Sequence, residues 1–273
     1  MKKHRILILG GSGFIGQTLY KELSPYFDTY ATYHNSSEWK TNQRFFAFDL
    51  EQDDLIASVE KIRPSLIINA LRGPYTAITR SFRHLFEYMS KTRNVRLITI
   101  SSANVFDGYT QLPNYEYDKT LSQSNLGKYQ IHNENQLMKL PEDQWSIIRI
   151  PMVFGNGSPR VIELRYALQQ ELSVDVFPNL SINVTYADKL AQQLHYLINR
   201  SKKGIFHLGS NELCLHEDFI KSLINRLGNF HPRLKRVYTT NDIRYAAVLS
   251  KDRPLPKYLQ FGVNEVINHH LPL

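Results

Sequence analysis

Gly10, Gly13 and Gly16 stand at intervals of three in Gly10-Gly-Ser-Gly-Phe-Ile-Gly16. Behind them runs the branched aliphatic stretch Arg5-Ile-Leu-Ile-Leu9, and ahead the helix-periodic Gln17-Thr-Leu-Tyr-Lys-Glu-Leu23. The chemistry open to such a stretch is the holding of a pyrophosphate. One glycine permits a sharp turn, one lets backbone amides approach phosphate oxygens, and one lets the helix pack closely on the strand. The helix start adds free N–H groups and a partial positive charge. Strand, tight turn and helix in that order point to a dinucleotide rather than to a turn of structural use alone.

Which dinucleotide depends on the end of the second strand, Thr29-Tyr-Ala-Thr-Tyr33. There an acid, about 20 residues past the glycines, would hold the ribose 2′-hydroxyl of NAD. The residues present are His34-Asn-Ser-Ser37, without an acid. A neutral, hydroxyl-bearing loop with His34 and Lys40 nearby accommodates a 2′-phosphate, which favours NADP over NAD; a merely solvated loop has the same composition. Asp49-Leu50, after the strand candidate Arg44-Phe-Phe-Ala-Phe48, is placed either to contact an adenine or to cap a helix beginning near Asp53.

These residues need a scaffold, and hydrophobic periodicity predicts one. Helices over 55–62 and 76–92 alternate with strands over 65–70, 95–100 and 145–150, which argues for crossover units and a parallel sheet. The expected fold class is α/β, a Rossmann-type doubly wound parallel sheet with a smaller C-terminal substrate lobe. Residues 1–155 mainly form the dinucleotide-binding domain. Residues 156–273 mainly form the lobe, with segments returning to the first domain; helices over 161–172, 188–199 and 216–227 and a strand over 205–208 belong to this part. The 273 residues carry a net charge of +8 without a long Lys/Arg run, so no nucleic-acid arm is expected. The single cysteine, Cys214, excludes an internal disulfide and a Cys-based metal cluster. His269-His270 lacks accompanying acid or Cys spacing, so no metal site is expected. The apolar run after Met1-Lys-Lys-His-Arg stops at Gly10, too short for a signal peptide. No stretch has the length of a membrane span, and a cytoplasmic protein is expected.

Ligands in an open α/β sheet bind outside the carboxyl ends of the strands. That makes Ser101-Ser-Ala-Asn-Val-Phe-Asp-Gly108, after the fifth strand, the second informative motif. Together with the glycine turn, Asn69-Ala70, Arg149-Ile-Pro-Met-Val-Phe-Gly155, Tyr186-Ala-Asp188-Lys-Leu and Gly204-Ile-Phe-His-Leu-Gly209, it makes nearly the whole chain resemble the extended short-chain dehydrogenase/reductases. Within them the resemblance is to dTDP-4-dehydrorhamnose reductase and its relatives, which include the non-catalytic regulatory subunit of methionine adenosyltransferase. The resemblance implies a nicotinamide dinucleotide held by Gly10, Gly13, Phe14, Ile15, Gly16, His34, Asp49, Leu50, Asn69, Ala70 and Gln130. It also implies a nucleotide-sugar in the lobe, where Arg160, Arg165 and Asn183 are available for diphosphate or sugar contacts unless they are solvated surface. A homodimer or a regulatory protein partner is compatible with it.

Members that reduce a keto group use a Ser or Thr after the fifth strand, then a Tyr, then a Lys one helical turn further. The Tyr donates a proton as hydride reaches carbon, and the Lys holds the nicotinamide ribose and lowers the Tyr pKa. Ser102 matches the first position. Leu126 and Gln130 stand where the Tyr and Lys are expected, in Leu126-Gly-Lys-Tyr-Gln130. Tyr115 and Lys119 have the right mutual spacing but lie in a Pro- and Asn-containing loop, a chance match. Tyr129 is the substitute candidate for proton donor, since positions 126, 129, 130 and 133 share one helix face; it lies about 4.5 Å along the axis from Leu126. The alternative is an aromatic residue packing at an interface. Three functions remain: keto-sugar reduction with Ser102 and Tyr129 or water, a catalytically inactive cofactor-binding sensor or regulatory subunit, and epimerase-type chemistry at the same site.

Overall fold

Alternation of inward and outward side chains explains the first strand. Within β1 (Arg5–Leu9), Ile6 and Ile8 enter one apolar cluster while Leu7 and Leu9 enter another, so the strand is buried on both faces as a central parallel strand must be. The computed structural model describes residues 4–35, 37–228 and 230–269; the chain start at Met1 and the second histidine of the 269–270 pair lie outside them.

After β1 come α1 (Phe14–Leu23), β2 (Asp28–Tyr33), β3 (Phe45–Ala47), α2 (Leu55–Ile62), β4 (Leu66–Asn69), α3 (Tyr75–Lys91), β5 (Arg96–Ser102), α4 (Asn125–Leu137) and β6 (Trp145–Ile150). The chain then leaves the sheet through β7 (Met152–Phe154), α5 (Pro159–Gln169), β8 (Val174–Val176), β9 (Leu180–Ile182) and β10 (Val184–Tyr186). It returns with α6 (Ala187–Asn199) and β11 (Gly204–His207), and finishes with β12 (Cys214–Leu215), α7 (His216–Leu227), β13 (Leu234–Arg236), β14 (Arg244–Ala246) and α8 (Val263–Asn268). Seven strands lie in the order β11-β6-β5-β4-β1-β2-β3, every neighbouring pair parallel. The succession of strands changes direction between β1 and β4. That switch point opens a crevice at their carboxyl ends, where an α/β sheet takes its ligand.

Helix α1 with α6 covers one face of the sheet, and α2 and α3 cover the other. Each fully buried aliphatic side chain there contributes about 1.5–3 kcal/mol. A third apolar cluster, around Leu164, Ile182, Val184, Phe219, Leu223 and Val263, is the core of the smaller lobe. The lobe is built of short pieces: β12, β9 and β14 form one sheet, and β7 with β10 and β8 with β13 form two strand pairs.

The first helix begins at Phe14, with Gly13 as its N-cap, and one local reading needs correction. The second begins at Leu55 and is capped by Asp54, whose carboxylate accepts from Ile56 N at 2.9 Å; Asp49 is not its cap.

Candidate functional site

The glycine turn sits at the mouth of the crevice, and its glycines differ in what they exclude. Gly10 has φ +79°, and a Cβ there would lie 2.8 Å from the Ala70 carbonyl oxygen, so only glycine fits. A Cβ on Gly16 would overlap the Gly10 carbonyl oxygen, and one on Gly11 would overlap the Ala31 side chain. At Gly13 the nearest neighbour of a Cβ is the Gly10 oxygen at 3.3 Å. Space is therefore left open in front of Gly13. The N–H groups at the start of α1 receive no side-chain cap, and an uncapped helix start beside open space is a cradle for phosphate. The turn is pinned to β2, since Gly10 N donates to Thr32 Oγ1 at 2.9 Å and Ser12 N to Thr32 O at 3.1 Å. Ala70 N donates to Leu9 O at 3.0 Å, and Asn69 Oδ1 accepts from Leu71 N at 3.3 Å. Phe14 and Ile15 pack half-buried against the core of the first face. Phe14 is also approached by Gly155, on which a Cβ would lie 3.4 Å from the ring.

At the ends of β2 and β3 the structure brings together two residues far apart in the chain. His34 Nε2 lies 3.3 Å from Asp49 Oδ2, and Leu50 lies against the backbone of Gly73. A carboxylate from just beyond β3 thus stands at the end of β2. A hydrogen bond from Glu51 N, at 2.8 Å, is the main cause holding the Asp49 pKa below its ordinary value, with His34 adding to it.

Helix α4 meets the end of β5 closely because Gly127 allows it. A Cβ there would overlap the Ser122 hydroxyl and the Asn104 carbonyl oxygen. Ser124 caps the helix, accepting from Gly127 N at 3.1 Å, and is itself held by Asp107. The result is that Ser102 Oγ donates to Gln130 Oε1 at 2.7 Å, with Asn104 Oδ1 at 3.1 Å as the alternative acceptor. Gln130 turns its carbonyl oxygen to the serine, which leaves its NH2 group for another partner. Tyr129 does not join this pair. Its ring faces Tyr75 at the start of α3, with centroids 6.1 Å apart. Burial pushes its hydroxyl pKa up to about 12, opposed only by the Asn133 amide.

One residue before Ser102, a second serine makes the parallel contact in the interior. Ser101 Oγ donates to Glu134 Oε1 at 2.6 Å, and Glu134 is bound by the Arg149 guanidinium from Nη2 at 2.7 Å and Nε at 3.2 Å. Arg149 also donates to the Glu116 carbonyl oxygen at 2.9 Å and lies 4.9 Å from the Phe106 ring centroid. Glu134 and Arg149 are both about 2 % exposed. This buried pair locks α4 to β6 and so sets where Leu126 and Gln130 stand. Neither residue was assigned a role from the sequence; the available signal was a charge inside the apolar strand Trp145-Ser-Ile-Ile-Arg-Ile150.

On the lobe side, Arg160 lies in the first turn of α5 and is exposed. Surrounding protein, and next the charge of Arg72 from the loop after β4, lower its pKa, with Glu163 opposing them. Burial, then Arg160, pushes His216 down to about 4, and its Nδ1 accepts from Phe177 N at 3.3 Å. Asn183 is not available to a ligand. It is fully buried, with Nδ2 donating to Ser210 O at 3.2 Å and Val248 O at 2.8 Å and Oδ1 accepting from Val248 N at 3.0 Å, so it serves as a clamp inside the lobe. Arg165 is half-buried on the same helix as Arg160. Tyr115 and Lys119 lie in an irregular loop, and Tyr115 faces Lys251. His269 Nε2 is 2.8 Å from Asp188 Oδ2. Among the described residues no group of His, Cys, Asp and Glu is arranged to hold a metal, and no helix is long and apolar enough to cross a membrane.

A seven-stranded parallel sheet with this crevice, glycine turn and lobe is the architecture of an extended short-chain dehydrogenase/reductase. Residues 4–254 match the RmlD substrate binding domain, and the chain belongs to that family. A dTDP-4-keto-6-deoxy-D-glucose reductase of Streptomyces niveus is 28% identical over 148 residues, 54% of this chain and 51% of that protein; the match spans about half the length of this relative. Among solved structures, dTDP-4-dehydrorhamnose reductase of Bacillus anthracis in complex with NADP superposes with a TM-score of 0.79 at 19% identity, covering 97% of each chain. UDP-glucose 4-epimerase of Thermus thermophilus complexed with NAD gives 0.74 at 16%, over 97% of this chain and 98% of that one.

Proposed function

We propose that the chain binds a nicotinamide dinucleotide in the crevice between β1 and β4 and a nucleotide-sugar beside it, and holds them without reducing a keto group by a tyrosine acid. Gly10, Gly13, Gly16 and the start of α1 take the pyrophosphate, and Asn69 and Ala70 flank it. The free NH2 group of Gln130 takes the nicotinamide ribose, which a neutral amide can hold but cannot electrostatically activate. When bound, the dinucleotide supplies a hydride donor or acceptor. Residues up to 155 carry this half. The lobe from 156 onward receives the sugar nucleotide, with Arg72 and Arg160 on either side of its phosphates; neither makes an ion pair among the described residues.

The observation that carries the reading is the chemistry of α4. Leu126 has no proton to give, and the Ser102 hydroxyl is bonded to Gln130. The remaining phenol, Tyr129, has been shifted by burial toward weaker acidity, opposite to the direction a general acid requires. The chain accordingly resembles a sensor or regulatory subunit more than an oxidoreductase.

Calorimetric titration with NAD and NADP, followed by nicotinamide oxidation with dTDP-4-keto-6-deoxy-D-glucose, tests this. Binding without turnover is expected. Turnover that is lost in Tyr129→Phe would instead establish reduction with Tyr129 as donor. In Gly13→Val the side chain projects in front of the turn, so dinucleotide affinity should fall by about 100-fold or more while the chain still folds, as read by its unfolding transition. Unaltered affinity in that variant would remove the glycine turn as the site.

A further inference from the structure

Two helices of the lobe start at one place. Four residues, 170–173, join α5 to β8, and the helix packs back on the strand through Leu164, Leu168 and Val174, so its first turn stands toward the strand's carboxyl end. α7 begins there too. His216, its first residue, meets Phe177, the residue after β8: Phe177 N donates to His216 Nδ1 at 3.3 Å, and the two rings stand edge to face with centroids 5.1 Å apart. Neither helix start has a side-chain cap, so both leave N–H groups without intrahelical partners.

The bond from Phe177 settles which nitrogen of His216 carries the proton. Burial, with the charge of Arg160 next, holds this imidazole down to about 4, so it is neutral near neutral pH. A neutral imidazole that accepts at Nδ1 has its hydrogen on Nε2. That N–H lies on the side of the ring away from the strand. His216 is 9% exposed, and its Nε2 makes no hydrogen bond among the described residues while keeping some contact with solvent. It is a donor of fixed direction without an acceptor.

Its neighbours are donors as well. Arg160 is close enough for its charge to be felt at His216, and Arg72 close enough to be felt at Arg160. Both guanidinium groups are exposed, and neither makes an ion pair among the described residues. The nearby acids do not offset them. Glu217 is taken by Lys221 at 2.7 Å and Arg236 at 2.8 Å, Asp218 acts on Cys214 beside β12, and Glu163 is outweighed at Arg160 by Arg72. Two unpaired cations and a neutral N–H in succession match an anion with more than one charge and several acceptor oxygens.

We propose that His216 is a binding residue of the lobe, its Nε2–H donating to an oxygen of a diphosphate whose charge Arg160 and Arg72 balance. This rests on the reading that the lobe receives a nucleotide-sugar, and it goes further in naming the diphosphate as the group recognised and an uncharged histidine as the donor that orients it. A monophosphate has too few oxygens to engage all three groups.

The test is calorimetric titration of the full chain, saturated with NADP to fill the glycine turn, with dTDP and with dTMP. dTDP should bind at least about tenfold more tightly than dTMP. In His216→Asn the side-chain oxygen still accepts from Phe177 N but no donor reaches the place of Nε2, and dTDP should bind about tenfold more weakly. In His216→Gln the longer amide reaches that place, and affinity should stay within about threefold of the parent. Arg160→Met should weaken dTDP by about tenfold or more, whereas Arg83→Met, at an exposed position on α3, should leave it unchanged. Nitrogen-15 spectra of the unsubstituted chain read the tautomer directly, with the proton expected on Nε2. The role of His216 is overturned if dTDP binds the parent but both histidine variants bind it alike, if the ring carries its proton on Nδ1, or if dTMP binds as tightly as dTDP. If dTDP does not bind the parent up to about 10 mM, the nucleotide-sugar reading itself falls and this inference with it.

Discussion

The two ends of the crevice are built by different means. At the glycine turn, backbone conformation and side-chain absence together define the site, and Gly10 and Gly16 cannot change without collision. At α4 the backbone is held just as tightly, by Gly127 and by the Glu134–Arg149 pair, while Leu126 and Gln130 are only half-buried. On the proposed reading, binding rests on the main chain of the glycine turn and chemistry on the side chains at 126 and 130.

The strongest way to break this contrast is to restore the missing groups. Leu126→Tyr combined with Gln130→Lys should create nicotinamide oxidation with a keto sugar nucleotide, since a positioned general acid is worth about 10²–10⁴ in rate. If steady-state assays show no gain while both ligands still bind, the scaffold of α4 is not equivalent to that of a reductase.

Removing the scaffold probes the same contrast from beneath. Glu134→Ala leaves Arg149 buried without its partner and should cost about 3–5 kcal/mol in denaturant unfolding. Ser102→Ala, at the mouth, should cost about 1 kcal/mol at most. Equal losses would mean that the mouth is structural too.

Acid should expose the lobe and the sheet edge rather than the glycine turn. His207 and His216 titrate near 4 when folded, against 6.5 ordinarily. Below 6.5 the unfolded chain binds protons that the folded chain refuses, so stability is full above that pH and falls as the pH drops toward 4. Each imidazole contributes a slope of about 1.4 kcal/mol per pH unit across the window. Urea midpoints measured from pH 7 to pH 4.5 should show this decline, with the slope reduced to about half in His216→Asn. A flat profile would show that the two imidazoles are not protected in the folded protein.

The smallest expected effect concerns the choice of dinucleotide. Asp49 places a carboxylate beside His34, where it would oppose the 2′-phosphate of an NADP bound as proposed. Asp49→Asn should raise the NADP-to-NAD affinity ratio by about tenfold. An unchanged ratio in paired titrations would place the adenosine ribose elsewhere.

The first half of the molecule was legible because long apolar runs carry their period in the sequence, and the Rossmann-type sheet and its crevice follow from it. The lobe was not. Strands such as Val174–Val176 and Leu180–Ile182 have three residues each, too few to display an alternation. Asn183 shows the companion difficulty, since a polar residue near an expected ligand reads as a contact until its clamp on Val248 is seen. The His34–Asp49 approach and the Glu134–Arg149 pair both join residues distant in sequence, and neither spacing nor composition encodes such meetings. Gly11 was passed over because the motif counts glycines by threes, while its own constraint comes from Ala31 on the adjoining strand.

The return of β11 to the sheet has a consequence for biosynthesis. This edge strand pairs with β6 only after the chain from Met152 to Tyr186 has been laid down between them. On the ribosome, six strands of the sheet emerge before the first part of the lobe and the seventh after it, with the rest of the lobe later still. The edge of β6 therefore stays uncovered while the inserted segment is made, and an uncovered edge is where unwanted strand pairing begins. The order of synthesis leaves residues 145–150 an open edge that the finished fold covers with β11.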